Sequence, residues 1–509
     1  APQLRAVPPP VFPCHPVPWE APISGAMSWS RLAVGLWGSL LLPGLAADPG
    51  LELLPRSGGG RPFPPVERMY DAQRHAMEEI REAARTASAA ARPKLLEMLD
   101  SEAFRGRLRD CCAASGIAEW PAERLLGTLH ENVNSAELVH NFENSHSGLT
   151  LEVLLNNVTD YLPTSWQMIY LGYYGPVLPS FGHPSSPADA SEEGVYRLQP
   201  FSQPHDLPGS YEEASGRAQY VALNMLRVDT GNPAFGNVTA VMSPSYWDAI
   251  AAAPVDTGLY TFKCNETYMN TSGSRHVPMK VPIECADITP GVAGAMDHAL
   301  LNNQLMWSKL DVLGHLFSRW YGHNETYTNI SSPHIITYIE SNILANVHFE
   351  DHGIKLLVGA FAPLFGTPRG QLLQQVAQRK GIALAWALGE GVVHMSMDSM
   401  NKTKPWRSSA RMLDLTVAEP AGLNVSVSAA SRAAFEGLWK SVAAERGPAG
   451  ELSQAKARSL WASMVAEIPA GQVSVPAPGV CSDWSRCIGA APHGECVCYR
   501  SERLEGFFV

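Results

Sequence analysis

Hydrophobic and polar positions alternate along the chain with three successive textures. Met69, Ala72, Ala76, Ile80, Ala83 and Ala87 recur at steps of three and four, which predicts an amphipathic helix that Pro93 ends. Leu95, Leu96, Leu99, Phe104 and Leu108 carry a second helical stretch up to the adjacent Cys111 and Cys112. From residue 149 to 388 the pattern becomes mixed. Residues 238–242 and 260–263 read as strands, and residues 293–320 have the apolar spacing of one long helix. The clearest unit comes next. Residues 338–347 alternate as a strand, Asp351-His352-Gly353 makes a turn, and residues 355–359 form another strand. Thr367 then supplies an N-cap and Pro368 the first helical position, Leu372, Leu373 and Val376 form a stripe, and Gly381 closes the helix before a strand at 382–388. Strand, helix and strand within residues 355–388 predict a β-α-β crossover with two parallel strands. Further on, Phe435, Leu438, Trp439 and Val442 mark one helix, and Leu460, Trp461, Met464 and Val465 a second. Gly447-Pro448 between them suits an αα-hairpin.

The expected fold class is therefore α/β or α+β, with a mixed-sheet core, an N-terminal helical cap, a C-terminal helical hairpin and a disulfide-stapled tail. The core is assigned to residues 67–395, the hairpin to 396–470 and the Cys-rich tail to 471–509.

The first residues read as processing signals rather than core. Residues 1–26 are Pro-rich and lie upstream of Met27, the expected true start. Residues 27–47 fit a signal peptide: Arg31 is the basic residue, 32–42 the apolar run, and Leu45-Ala46-Ala47 the small-residue cleavage site. A membrane span needs about 20 apolar residues, and Pro43, Gly44 and Asp48 end this run early. Residues 48–66 are a Gly/Pro-rich linker. N-x-[ST] acceptors occur at Asn157, Asn237, Asn265, Asn270, Asn324, Asn329, Asn401 and Asn424, eight of 19 asparagines. Chance would give roughly two or three, so the excess points to passage through the secretory pathway.

Charge and cysteine usage sharpen this picture. The 509 residues carry a formal charge of -11, which lacks the basic footprint that phosphate backbones require and argues against a nucleic-acid partner. Of nine cysteines, Cys14 lies in the leader, leaving an even eight, as an oxidising compartment favours. Cys264 and Cys285 bracket a loop with two glycosylation acceptors, and a disulfide there would stabilise by roughly 2–4 kcal/mol. Cys481, Cys487, Cys496 and Cys498 form the tail cluster, whose GECVC piece is similar to the middle of an epidermal-growth-factor-like module without its closing cysteine. For Cys111 and Cys112, structural partnership with distant cysteines is expected over a mutual bridge.

Candidate chemistry is sparse. His348 and His352 stand four apart, as metal ligands on a helix would, but their flanks read as strand and turn. His298 and His315, with Asp297 and Asp311, fall in the long predicted helix, where satisfied histidines are commoner than ligands. No Walker A loop, GxSxG elbow, HExxH or dinucleotide fingerprint occurs, and no motif names a cofactor.

The most informative segment runs Gly216-Arg217-Ala218-Gln219-Tyr220-Val221-Ala222-Leu223-Asn224, followed by Gly231-Asn232-Pro233-Ala234-Phe235-Gly236 and Pro244. It resembles the uncharacterised domain of unknown function 3626 family, whose pattern is RPxYGALN and then GxxPRFG. Arg217, Tyr220, Ala222, Leu223, Asn224, Phe235 and Gly236 match, and Val221 replaces a Gly. A second anchor, residues 337–347, is similar to the family's YxEAQxxG-V strand, with Glu340 kept and Asn342 where Gln is usual. The AQRxAM opening at Ala72 to Met77 agrees as well. The resemblance spans roughly residues 70–390. The family's HPDR element is matched only by Asn141-Phe142-Glu143-Asn144, and its QFETGxSNG loop is absent near Gly172-Tyr173-Tyr174-Gly175.

An Arg before one strand and a Glu on a later strand suit an anionic ligand plus a carboxylate that stabilises developing positive charge or acts as base. ADP-ribosyltransferases order an Arg, a Ser/Thr strand and a Glu in this way to cleave NAD. Arg217, Asn224 and Glu340 are the catalytic candidates on that scheme, with Ser243 the nearby hydroxyl. The alternative is an ion pair between Arg217 and Glu340 that holds the sheet together. Two functions stay open: an extracellular protein binding an unidentified ligand or partner protein, and a transferase or hydrolase acting on NAD or another nucleotide.

Overall fold

The computed structural model describes residues 61–134, 136–143, 149–156, 160–173, 192–202, 208–225, 230–231, 236–254, 257, 288–306, 312–321, 339–349, 352–387, 411–417, 426–427, 429–446, 450, 452–467 and 473–474. It is a mixed α/β fold. The long N-terminal helix α1 (Asp71–Asp100) buries Ala76, Met77, Ile80, Ala84, Ala91, Leu95 and Leu99 and runs straight through Pro93. An interior proline costs about 3 kcal/mol. Burying Leu95 and Leu99 beyond it contributes about 1.5–3 kcal/mol each, which is enough to carry the helix on. The break falls instead at Ser101, whose side chain accepts from the Phe104 amide and starts α2 (Glu102–Cys112). After α3 (Ala122–Asn134) the chain enters the sheet.

Eight strands make that sheet: β1 (Glu137–Phe142), β2 (Gln219–Asn224), β3 (Val238–Met242), β4 (Ile250–Ala252), β5 (Ile339–Ile343), β6 (Ile354–Ala360), β7 (Ala383–Ala387) and β8 (Arg411–Leu413). Their order is β4-β5-β2-β1-β3-β6-β7-β8, antiparallel throughout except for the parallel pair β6/β7. That pair is joined by α4 (Pro368–Lys380) as the sequence predicts. The Thr367 hydroxyl accepts from the Gly370 amide at 3.0 Å, and Gly381 takes φ 64° at the helix end. Successive strand residues point to opposite faces, so the β-ladder registers assign each side chain to a face. Gly359 shows how closely α4 packs: a Cβ there would lie 2.5 Å from the Trp386 ring and 2.8 Å from Leu373.

Besides the helix end expected at Pro93, two sequence expectations change. Residues 293–320 are not one helix: Val292–Ala295 form a turn with Gly294 at φ 78°, and helices α5 (Asp297–Met306) and α6 (Val312–Tyr321) follow. Cys111 and Cys112 bridge each other rather than distant cysteines; both are buried at the end of α2, and every other cysteine lies outside the described residues. The expected pair of C-terminal helices is present as α7 (Ala429–Glu445) and α8 (Gln454–Glu467), which pack into the main apolar core. Phe435 meets Phe365 at 5.6 Å between ring centroids, and Trp461 meets Phe361 at 5.1 Å. The predicted strand at 260–263, the Cys-rich tail, Cys264 and Cys285 lie outside the described residues. Among the described residues no helix is long and apolar enough to cross a membrane.

Candidate functional site

One face of the sheet is polar along half its width. Registry places Glu340 and Asn342 of β5, Tyr220, Ala222 and Asn224 of β2, and Glu137, Val139 and Asn141 of β1 on the same side, continued by Thr239 of β3 and Arg411 of β8. The face is concave. In a flat sheet β1 and β8 would stand four spacings, about 19 Å, apart, farther than two side chains reach. Arg411 nevertheless clamps both carboxylate oxygens of Glu137, with Nη2 2.7 Å from Oε2.

Around that clamp each polar group has a stated partner. Asn224 donates from Nδ2 to Glu137 Oε2 at 3.1 Å, so this candidate completes an Asn224–Glu137–Arg411 network. Asn141 Nδ2 donates to the Thr239 hydroxyl at 2.8 Å and to the Thr230 carbonyl at 2.9 Å. Such charge-assisted, bidentate bonding offsets much of the cost of removing the Glu137 and Arg411 charges from water.

Arg217 and Glu340 are both buried, and each has a partner other than the other. Arg217 precedes β2. Its Nη1 lies 3.3 Å from Glu192 Oε2, and its guanidinium stacks 3.5 Å above the Phe201 ring centroid. The Trp166 indole N–H donates to Glu192 Oε1 at 2.9 Å. Burial pushes the fully enclosed Glu192 carboxyl up to about 7, against the pull of Arg217 and of hydrogen bonds from Trp166 and Tyr220. Glu340 accepts the Thr257 amide at 2.7 Å and the Thr257 hydroxyl, and the Tyr196 hydroxyl stands 3.5 Å away. The expected Arg217–Glu340 ion pair is thus replaced by two separate anchors, and the segment containing Glu192, Tyr196 and Phe201 touches both. Ser243 caps the turn after β3, its Oγ accepting from the Ser245 amide at 3.3 Å.

Gln219 Oε1, Asn237 Oδ1, His348 Nε2 and the Asn342 amide are buried without a hydrogen-bond partner among the described residues, and Asn342, 0% exposed, has both of its amide atoms, Nδ2 and Oδ1, in that state. In register it lies between Tyr220 of β2 and Ala251 of β4, two residues from Glu340. Leaving a buried amide unpaired costs about 1–3 kcal/mol, so the β-ladder holds the Asn342 backbone while its side chain is destabilising as it stands.

The histidine candidates disperse. His348 lies beyond β5 and His352 sits in the turn before β6 at φ 52°. The His298 ring bonds Ser88 at 3.0 Å and the Thr289 carbonyl at 2.7 Å, while Asp297 pairs with His130. Among the described residues no cluster of three or more His, Cys, Asp or Glu could hold a metal ion. Of the glycosylation acceptors only Asn237 is described; it is half-buried at the start of β3, and the other seven lie outside the described residues.

Sequence reasoning missed Glu192, Thr257, Glu137 and Arg411. Glu137 and Arg411 carry a usable signal, a charge set in an otherwise apolar strand (ELVHNF and RMLDL). Glu192 does not, because Glu192-Glu193 reads as an ordinary solvated pair. No family model matches the chain, and no curated protein matches it in sequence.

Proposed function

We propose that the chain is a secreted, N-glycosylated protein that binds a small polar ligand on the β5–β2 part of the concave face. The observation that carries this reading is Asn342, whose whole amide is buried without a partner beside Glu340 and Tyr220. A ligand offering both a donor and an acceptor would satisfy it, and buried polar groups left unpaired in a native fold call for such an account. The ligand enters by displacing the segment around Glu192 and Tyr196, where the Tyr196 hydroxyl stands 3.5 Å from Glu340. The two stretches that resemble the domain of unknown function 3626 family fall on neighbouring strands, with Ala222 opposite Glu340. That adjacency supports treating the chain as a divergent relative of the family.

The transferase alternative draws on the same adjacency, but it requires Arg217 to leave Glu192 and Glu340 to leave Thr257 before either meets substrate. Thermal shift and calorimetry with nicotinamide, adenosine, ADP-ribose and NAD test the binding reading. At least one probe is expected to raise the wild-type melting temperature and to leave Asn342→Leu unmoved. Without any probe, Asn342→Leu is expected to gain about 1–3 kcal/mol, since it removes an unpaired amide. A loss of stability in that variant, or equal probe shifts in both proteins, removes the reading. NAD consumption that disappears in Glu340→Gln would select the transferase instead.

A further inference from the structure

A second polar feature flanks the buried face of α1, where Ile80 and Ala84 share an apolar cluster with Val292 and Ala295, and it is independent of the concave face. Arg81 and Arg85 stand one helical turn apart on the same stripe. They face Asp248 and the turn Val292–Ala295 across a small surface pocket open to solvent. Arg81 is held in place there: its Nη2 donates to the Asp248 backbone carbonyl at 2.5 Å. Arg85 has only a loose pairing, 3.7 Å from Glu82, with both side chains exposed, which contributes little in water. The turn opposite is fixed by the Ala295 amide bonding the Val292 carbonyl at 2.9 Å, with Gly294 at the φ 78° that a type II turn needs in its third position. The Ala293 and Gly294 amides at its exposed tip donate to no described residue.

We propose that this cavity binds a tetrahedral oxyanion, a phosphate or sulfate group. The two guanidiniums offer planar forks of N–H donors from α1, and the turn 292–295 forms the opposite wall. A phosphate or sulfate has enough acceptor oxygens and charge to engage both guanidiniums at once, whereas a carboxylate carries a single charge on two oxygens. The site is also a local reversal of sign in a chain whose formal charge is -11. The exposed Asp248 carboxyl on the rim opposes the anion and keeps the affinity moderate.

The test is calorimetry on the purified full chain with inorganic phosphate, inorganic sulfate, glycerol 3-phosphate and acetate at matched ionic strength. Saturable 1:1 binding of phosphate or sulfate is expected, with acetate weaker. Arg85→Ala should weaken it about tenfold and Asp248→Asn should tighten it, since one removes a donor fork and the other a like charge. Tighter binding of glycerol 3-phosphate than of the inorganic ions would identify an ester as the natural form, and the reverse order a free ion. Both substitutions are at the surface, so the fold is retained. Absent saturable binding, acetate binding as tightly as phosphate, or unchanged affinity in Arg85→Ala would each overturn the proposal.

Discussion

Along β6 and β7 the concave face carries Leu356, Val358, Ala360, Ala383, Ala385 and Ala387, whereas along β5, β2 and β1 the same face carries Glu340, Asn342, Tyr220, Asn224, Glu137 and Asn141. All but the Tyr220 side chain are buried. The apolar half needs only shape, as it also does on the reverse face of β6 and β7, where Gly359 makes room for Trp386 and Leu373 of α4 fills the space beside it. In the polar half each group must find a bonded partner, because an unpaired buried amide or charge costs more than a lost methyl group. That half is therefore assembled from strands beginning at residues 137, 219 and 339, with Arg411 reaching in from the far edge. Asn342, with both amide atoms buried and unbonded among the described residues, is the group in that half that the proposed ligand would satisfy.

The comparison can be broken most forcefully at the clamp. Arg411→Met leaves Glu137 buried and uncompensated and should cost about 3–5 kcal/mol in chemical denaturation. Adding Glu137→Leu should restore most of that loss, because the cost lies in the stranded charge. A single-variant cost below about 1 kcal/mol would mean that the polar half is no more demanding than the surface.

Glu192 offers a pH readout. Its carboxyl is raised to about 7, above its ordinary 4.5, chiefly by burial and despite Arg217. A raised folded value means that the native state holds the proton more tightly than the unfolded chain. The stabilisation is complete below about pH 4.5 and is lost as pH rises through about 7. Denaturation midpoints followed across that window should fall by an amount on the order of 3 kcal/mol in wild type, and Glu192→Gln should flatten this component. An identical slope in the variant would assign it elsewhere. Asp414, bonded to Trp386 on the reverse face, is the control, since burial also raises its carboxyl, where Thr416, Gln374 and Trp386 oppose the shift.

The smallest effect belongs to the most regular element. Thr367→Ala removes the N-cap of α4 and should cost about 1 kcal/mol, with no change in pH dependence. A much larger loss would show that the β6–α4–β7 unit leans on its cap rather than on packing.

How much of this was legible along the chain follows from range. Thr367, Pro368, Leu373, Val376 and Gly381 announce α4 because capping and amphipathic periodicity act within one element, and the parallel β6/β7 pair follows from the crossover they define. The long α1 was legible in its stripe but not in its end. Pro93 is a local breaker, and the burial of Leu95 and Leu99 that overrides it is a tertiary fact. Residues 293–320 failed in the opposite sense, since their apolar spacing hides the turn at Gly294.

The candidate site divides in the same way. By itself the sequence determined the mixed α/β class, the crossover, and the residue types at Arg217, Asn224 and Glu340, because local periodicity and short motifs contain those. Only the tertiary structure decided that Glu192 takes Arg217, that Thr257 takes Glu340, and that Arg411 joins Glu137 and Asn224. The physical reason is that a buried charge is partnered by whatever the fold brings within about 3 Å, and sheet order and curvature set that proximity across stretches of chain over which sequence spacing carries no information.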